Sequence, residues 1–171
     1  MLFRSFPLRT QLEPDTADAL RSTWAVLQAE WAALLARAAQ LPPEAVLQSV
    51  NGEWCLRDTL RHLLFAMDKW FCLPVLGALT YTSIGLPNTG SQGLAWPGLD
   101  PAADPTFDDV LATRRQQHDR FDRFIAELDF ADLPDTVEIS ENGSVPAVMC
   151  FHVVLEEEFE DRKSTRLNSS H

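Results

Sequence analysis

The residues best suited to chemistry are histidines and carboxylates on two segments with helical periodicity. His62 lies in the middle of EWCLRDTLRHLLFAMDKWF, at the border of an apolar face, and HVVLEEEFE carries His152 followed by a run of glutamates. A histidine and a carboxylate four residues apart, such as His152 and Glu156, lie one turn apart and could hold a metal ion from a single helix. The same pattern is typical of a solvated glutamate face, with His152 packed beside Leu155 and His62 held by Asp58. From the spacing alone, the structural interpretation is favoured.

The three cysteines, Cys55, Cys72 and Cys150, indicate neither a disulfide framework nor a thiolate metal site. Their number is odd and they share no CxxC spacing, which is typical of reduced thiols in a reducing compartment. Cys55 stands at the start of a helical segment, where a lowered thiol pKa is one interpretation and a substitute for a capping serine is the favoured one. The sequence contains no P-loop, no dinucleotide fingerprint and no Ser-His-Asp order.

Composition places these residues in one globular domain. The chain has 171 residues, of which 46% are hydrophobic and 23% charged, close to the average for globular domains. Its 14 basic and 25 acidic side chains give a net charge of -11, which argues against nucleic acid as a partner. The longest apolar run, Phe71 to Leu79, is interrupted by Pro74 and is too short to cross a bilayer. Because the N-terminus has no signal-type stretch, we expect a cytoplasmic protein with no membrane partner.

Apolar residues recur at helical spacing in four segments. The second segment begins after Gly52 and should end or kink at Pro74, because proline lacks the N–H that a helix interior needs. Helices are expected at about residues 15–40, from Gly52 to Pro74, at 106–128, and from Pro146 onward. The first segment is the most regular, with apolar residues three and four apart: Leu20, Trp24, Leu27, Trp31, Leu34 and Ala38.

The connection between the second and third helices is unusually long. Residues 80–105 contain four glycines and four prolines, and irregular loops of this length usually cross a bundle or cover a site. The loop is long enough to run back along a helix, so the second and third helices could be parallel. The short VEIS run near residue 138 alternates weakly, but one such run cannot form a sheet. The sequence therefore predicts an all-α fold, a four-helix bundle with a crossover loop.

The last eleven residues, DRKSTRLNSSH from Asp161 to His171, differ abruptly from the apolar and acidic helix before them. Over their whole length they resemble a common sequencing adapter translated in one frame. We therefore expect a single domain over residues 1–160, truncated at its C-terminus, followed by a non-native tail over residues 161–171. The alternative is a short native tail without fixed structure.

Taken in order, several short motifs resemble those of the DinB superfamily. They are NGEW, TLRHLLFAMDKW, a long loop with a Gly-Leu-Pro turn, PTFDDVLATR and HVVLEEEFE, and they extend over about Asn51 to Glu160. The resemblance is strongest to the branch whose fourth helix carries an EExxH pattern. It implies an up-down-down-up four-helix bundle that frequently forms homodimers. It also implies a divalent metal, often zinc or nickel, held by one histidine of the second helix and two residues one turn apart on the fourth.

Carried over to this chain, the resemblance implies His62, Glu157 and Asp161 as metal ligands. The family usually has a histidine where this chain has Asp161, the first residue of the tail, and zinc sites favour nitrogen and sulfur over an extra oxygen. His152 and Glu156 remain the alternative ligands. Among the aromatic residues, Trp96 in the long loop is expected to lie over a pocket, whereas the other tryptophans are expected in the core.

Two functions are compatible with this resemblance. In the first, the protein is a metal-dependent enzyme acting on a small-molecule substrate. Because some members of the family are enzymes of this kind, the resemblance implies a thiol-dependent S-transferase or isomerase that activates a low-molecular-weight thiol. In the second, it is a non-catalytic, dimeric stress-response or small-molecule binding protein of the same fold. Fold alone does not choose between them.

Overall fold

The computed structural model describes residues 9–165 and residue 167. Residues 1–8, where no signal-type stretch is expected, and residues 166 and 168–171 of the tail lie outside this described part. Within it, the chain forms four α-helices and one β-hairpin, joined by short 3-10 turns. Their bounds are α1, Ala17–Ala38; α2, Leu56–Met67; α3, Phe107–Ala126; α4, Ala147–Ser164; β1, Thr136–Ile139; and β2, Gly143–Pro146.

Caps at the helix starts explain where α1 and α3 begin. The Ala19 amide donates to the Thr16 hydroxyl at 3.1 Å, so Thr16 caps α1. Thr106 and Asp109 form a reciprocal capping box at the start of α3. Cys55 occupies the corresponding position of α2, where its sulfur lies near the Asp58 amide but makes no side-chain capping bond of normal geometry.

Contacts between helices fix an up-down-down-up arrangement. α2 and α3 run parallel, since Arg57 at the start of α2 binds Asp104 just before α3, and Phe71 after α2 packs on Phe121 late in α3. α1 and α4 also run parallel to each other, since His152 early in α4 contacts Pro14 before α1, and Arg162 late in α4 contacts Glu30 further along α1. The predicted four-helix bundle with a crossover loop is confirmed. We call the end where α1 finishes and α2 begins the upper end, and the opposite end the lower end.

The crossover loop folds back onto α2 and has a small apolar core of its own. Phe65 of α2 stacks on Tyr81 and meets the edge of Trp96, with ring centroids 5.3 and 4.9 Å apart. Trp96 is only 7% exposed, so the expectation that it lies over a pocket is wrong. The Leu86 amide donates to the Arg61 carbonyl at 3.1 Å, which attaches the loop to the middle of α2.

α2 ends in a π-helical turn rather than continuing to the proline. From Asp68 to Cys72 the backbone widens, and the Leu73 amide donates to the Asp68 carbonyl at 3.0 Å, five residues back. Gln117 of α3 donates its side-chain amide to the Leu64 carbonyl just before this turn, at 3.0 Å. The Asp68 amide also donates to the Leu64 carbonyl, so this oxygen accepts from both the helix and Gln117.

A two-stranded antiparallel hairpin precedes α4 and corrects the expectation that the VEIS run has no partner. Val137 lies opposite Val145 in the register, and Ile139 lies opposite Gly143. Ile139 and Val145 are buried in the lower core. The second strand was not recognised because it reads GSVP, with a glycine and a proline in four residues.

α4 continues through the first four residues of the tail. It ends at Ser164, and Leu167 packs against the upper core. Arg162 donates to the Glu30 carbonyl of α1 at 3.1 Å. The non-native origin of residues 161–171 stays a prediction. Across the described residues, the helices are too polar or too short to cross a membrane.

Candidate metal centre

His62 faces α4 from the middle of α2 and is held from behind by the crossover loop. Its Nδ1 lies 3.0 Å from the Leu86 carbonyl oxygen, and its Nε2 lies 3.2 Å from Oε2 of Glu157. A carbonyl only accepts, so Nδ1 carries the hydrogen and Nε2 is left to face α4. Metal-binding histidines typically have this arrangement, with the second nitrogen donating to a backbone carbonyl.

Glu157 and Asp161 lie one turn apart on α4, so both carboxylates face α2. One potential ligand atom from each of His62, Glu157 and Asp161 lies within 4.8 Å of the other two. Neighbouring ligands of a tetrahedral ion with bonds near 2.1 Å are about 3.4 Å apart, so the three atoms would need to come closer together to hold one. The structure therefore brings together the three residues that the resemblance implied.

Burial and charge leave this cluster short of positive partners. Oδ2 of Asp161 is buried without a hydrogen-bond partner among the described residues. Burial raises the pKa of Asp161 to about 7, against the charge of His62 and with the help of Glu157. Burial lowers the pKa of His62, but its contacts with Glu157 and Asp161 raise it above the usual value overall. A divalent cation would supply the missing positive charge, so the donor set fits a metal ion.

The alternative ligands lie elsewhere. His152 is half-buried, and its Nε2 meets the Pro14 carbonyl at 3.0 Å, while Glu156 is exposed. Neither residue belongs to the cluster of three. Asp58 does not hold His62, as one interpretation of the sequence had it, because Asp58 binds Arg57 and Arg61 instead.

Trp54 is the aromatic residue that lies beside the candidate centre. Its ring centroid is 5.3 Å from that of His62, and the residue is 36% exposed. The expectation that Trp54 lies in the core is therefore wrong. Its position follows from the turn at Asn51 and Gly52, both with positive φ, which redirects the chain just before α2. The NGEW motif was therefore the signal that could have identified it.

A second polar cluster holds α4 in place behind Glu157. The Arg114 guanidinium donates to Oε2 of Glu158 at 2.9 Å, and Nε2 of His118 lies 3.2 Å from Oε1. The Trp31 indole donates to the Glu158 carbonyl at 3.2 Å. Burial opposes ionisation of Glu158, but Arg114 and His118 hold its pKa at about 2. The expectation that His118 packs beside Arg114 or an acidic neighbour is confirmed.

None of the three cysteines is placed to act as a thiolate. Burial raises the pKa of Cys55, raises that of Cys72 to about 12 and raises that of Cys150 to about 11. The interpretation of Cys55 as an activated thiol is therefore wrong. Any thiol chemistry at the candidate centre would need a thiol from a bound molecule.

A cavity of about 610 Å³ opens at the upper end, between the end of α1 and the start of α3. Leu35, Val46 and Phe107 contribute to its mostly apolar walls, with Arg57 at one side. His62, Glu157 and Asp161 do not line it, so the candidate centre and this cavity are separate features.

Comparison with known proteins agrees with this architecture. No curated protein and no solved structure matches the chain significantly. The family model described as DinB superfamily matches residues 26–160, a region that includes His62, Glu157, all of α2 and α3 and the larger part of α1 and α4. The chain therefore belongs to the DinB superfamily.

Proposed function

We propose that this protein binds a divalent metal ion through His62, Glu157 and Asp161 and uses it to act on a small molecule. The observation that carries the proposal is the meeting of these three ligands beside a buried carboxylate oxygen without a partner. Clusters that are purely structural normally satisfy their buried polar atoms. Here a cation is the partner that fits two carboxylates and an imidazole.

The side chains around the centre have distinct roles in this proposal. A bound divalent ion would supply Lewis acidity toward an oxygen or sulfur atom of the substrate. His62 is fixed in orientation by the Leu86 carbonyl, so Nε2 stays directed at the centre. Trp54 forms an exposed aromatic wall beside His62, against which the apolar part of a substrate would pack.

A low-molecular-weight thiol is the co-substrate that we propose, which would make the protein an S-transferase or isomerase. The support is the family membership together with the high pKa values of the protein's own thiols. Because these thiols stay protonated at neutral pH, the reacting sulfur would belong to the bound molecule.

The donor set bears on which metal is bound. One imidazole and two carboxylates form a harder set than the histidine-rich set usual in the family. Imidazole suits zinc and nickel, while carboxylates also suit manganese. We therefore propose zinc or nickel as the resident ion, with manganese as the competitor that the extra oxygen ligand admits.

Metal content and calorimetry test the binding step. The chain purified without chelator should carry about one metal ion, and after chelation it should bind zinc or nickel again in calorimetry. His62→Ala and Glu157→Gln should each weaken binding by about a hundredfold or more, since direct ligands matter more than their supporting partners. Glu156→Gln changes an exposed glutamate beside Glu157 and should leave affinity unchanged. A protein without stoichiometric metal, or equal affinity in all three variants, would contradict the proposal.

The enzymatic step needs a separate test. Loss of free thiol in the presence of an electrophile should be faster with the metal-loaded chain than with the chelated chain, and slower with His62→Ala. Metal binding without any such acceleration would instead favour the non-catalytic binding protein. Homodimer formation, which the family resemblance also implies, is checked by light scattering.

A further inference from the structure

A second cavity lies at the lower end of the bundle, away from the candidate metal centre. Its volume is about 410 Å³. The π-helical turn, the chain after it and α3 form its walls. Asp68 lines this cavity, whereas His62 lies at the candidate metal centre. Asp68 follows His62 by six residues, which places it on another face of the helix and about 9 Å further along the axis. The polar side chains that line the cavity are Asp68, Cys72, Thr80, Tyr81, Thr82 and Arg120.

Tyr81 brings an unsatisfied donor to this cavity. The residue is only 3% exposed, and no described residue forms a hydrogen bond with its hydroxyl. Burial and the nearby carboxylates of Asp68 and Glu141 raise the pKa of Tyr81, and Ser140 of the hairpin, which lowers it, lies near the hydroxyl without a hydrogen bond of normal geometry. Buried tyrosine hydroxyls normally have a partner. An acceptor on a bound molecule would supply the one that is missing.

Arg120 brings a second donor group without an acidic partner. Its guanidinium lies close to the Cys72 thiol at the rim of the cavity. No carboxylate of the described residues forms an ion pair with it, in contrast to Arg57, Arg61 and Arg114. The planar guanidinium is suited to two parallel hydrogen bonds with a carboxylate.

The acidic group of the cavity is already occupied by protein donors. Oδ2 of Asp68 accepts from the Thr82 amide at 2.6 Å, and Oδ1 accepts from the Gln117 side chain at 3.0 Å. Burial also raises the pKa of Asp68, which weakens its repulsion of an anion. Cys72 remains a neutral thiol, since burial raises its pKa to about 12. The cavity therefore has donors to offer and few free acceptors.

The π-helical turn, Asp68–Cys72, widens the backbone at the end of α2 that lines the cavity. Turns of this type are rare and frequently occur at functional sites. Here the turn places Asp68 and Cys72 on the cavity wall, while Asp68 holds the loop residue Thr82. The loop in turn carries Tyr81, so the turn and the unsatisfied hydroxyl belong to one unit.

We propose that this lower cavity is a binding site for a small carboxylate. The carboxylate pairs with the Arg120 guanidinium at the rim and accepts a hydrogen bond from the buried Tyr81 hydroxyl. The rest of the molecule lies along Leu76 and Ala78 of the chain after the π-helical turn. The site acts independently of the metal centre, and no metal ligand contributes to it.

Calorimetric titration of the full chain with acetate, succinate and benzoate tests this proposal. At least one of the three should bind saturably, and the matching uncharged amide should bind about tenfold more weakly. Arg120→Gln and Tyr81→Phe should each weaken binding by about tenfold as well. Arg123→Gln removes an exposed arginine of α3 that does not line the cavity, so it should change nothing.

Two outcomes of the titrations above would overturn the proposal. One is the absence of saturable binding for all three carboxylates at millimolar concentration. The other is equal binding by Arg120→Gln and the unchanged chain, because this substitution at an exposed position is expected to fold normally. His62→Ala separates the two sites, since it should weaken metal binding by about a hundredfold or more and leave carboxylate binding intact. Loss of both would place the carboxylate at the metal centre and contradict a second site.

Discussion

Glu157 and Glu158 are consecutive residues of α4 with opposite surroundings. Glu158 is 2% exposed, and it is surrounded by donors from α1 and α3. Glu157 faces α2, where one imidazole and a second carboxylate share a space with too few donors. The satisfied cluster explains how α4 is fixed. The unsatisfied cluster explains why a cation is expected one residue earlier.

The largest effect should come from breaking the satisfied cluster. Arg114→Met leaves the buried carboxylate of Glu158 without its main counter-ion. Loss of one partner from such a pair costs about 3–5 kcal/mol, so the melting temperature should fall by about 10 °C. Thermal unfolding in the presence of chelator measures this effect without a metal contribution.

Two further variants show whether that loss comes from the ion pair. Arg115→Met alters an exposed neighbour and should change the free energy of unfolding by less than about 0.5 kcal/mol. The double variant Arg114→Met/Glu158→Leu removes both charges and should recover part of the stability. A double variant no more stable than Arg114→Met alone would contradict the assignment of the cluster as a structural ion pair.

The cluster of His62, Glu157 and Asp161 should lose metal affinity, and not stability, when one of its carboxylates is removed. Asp161→Asn removes a carboxylate that has no donor at Oδ2, so the chelated protein should keep its melting temperature. The same change should weaken zinc affinity by about a hundredfold or more, because a direct ligand is lost. Paired thermal unfolding with and without zinc gives both quantities. Full zinc stabilisation in this variant would remove Asp161 from the site.

A smaller effect is expected at His152, the histidine that the structure places outside the candidate centre. His152→Ala removes the contact with the Pro14 carbonyl, which is worth about 1 kcal/mol. Urea denaturation should show this loss, and calorimetry should show unchanged zinc affinity. A fall in metal affinity with no loss of stability would reverse the roles of His152 and His62.

The smallest effect is expected in the tail. Leu167 is partly buried against the upper core, so Leu167→Ala should lower the free energy of unfolding by about 0.5 kcal/mol. Lys163→Ala, an exposed change in the same tail, serves as the comparison for urea denaturation. A larger cost at Leu167 would show that the tail contributes to the bundle, against the prediction that residues 161–171 are foreign.

The bundle could be predicted from sequence because its signals are long and regular. The seam from Leu20 to Ala38 extends over most of α1, and all six residues of that seam are buried. The glycine and proline content of residues 80–105 likewise predicted a crossover rather than a helix. These features depend on spacing along the chain, which a sequence states directly.

The site could be predicted only in part, because its details depend on loops. His62, Glu157 and Asp161 were identified by family resemblance, whereas spacing alone offered His152 and Glu156 as a possible pair and favoured a structural role for them. The sequence predicted Trp96 over a pocket and Trp54 in the core, whereas the structure buries Trp96 and places Trp54 beside the candidate centre. Both predictions failed for the same reason, since both tryptophans lie in irregular segments. Where such an aromatic ring points depends on positive φ angles and long-range contacts, neither of which has a periodic signature.

The parallel pairing of α1 and α4 has a mechanical consequence. α1 begins at the lower end and α4 finishes at the upper end, so a force applied at Ala17 and Ser164 would act along the length of the bundle. Under that load α1 and α4 would slide past each other, so the contacts between them would break together instead of one turn at a time. In single-molecule pulling, the bundle should therefore be loaded in shear and unfold in a single step.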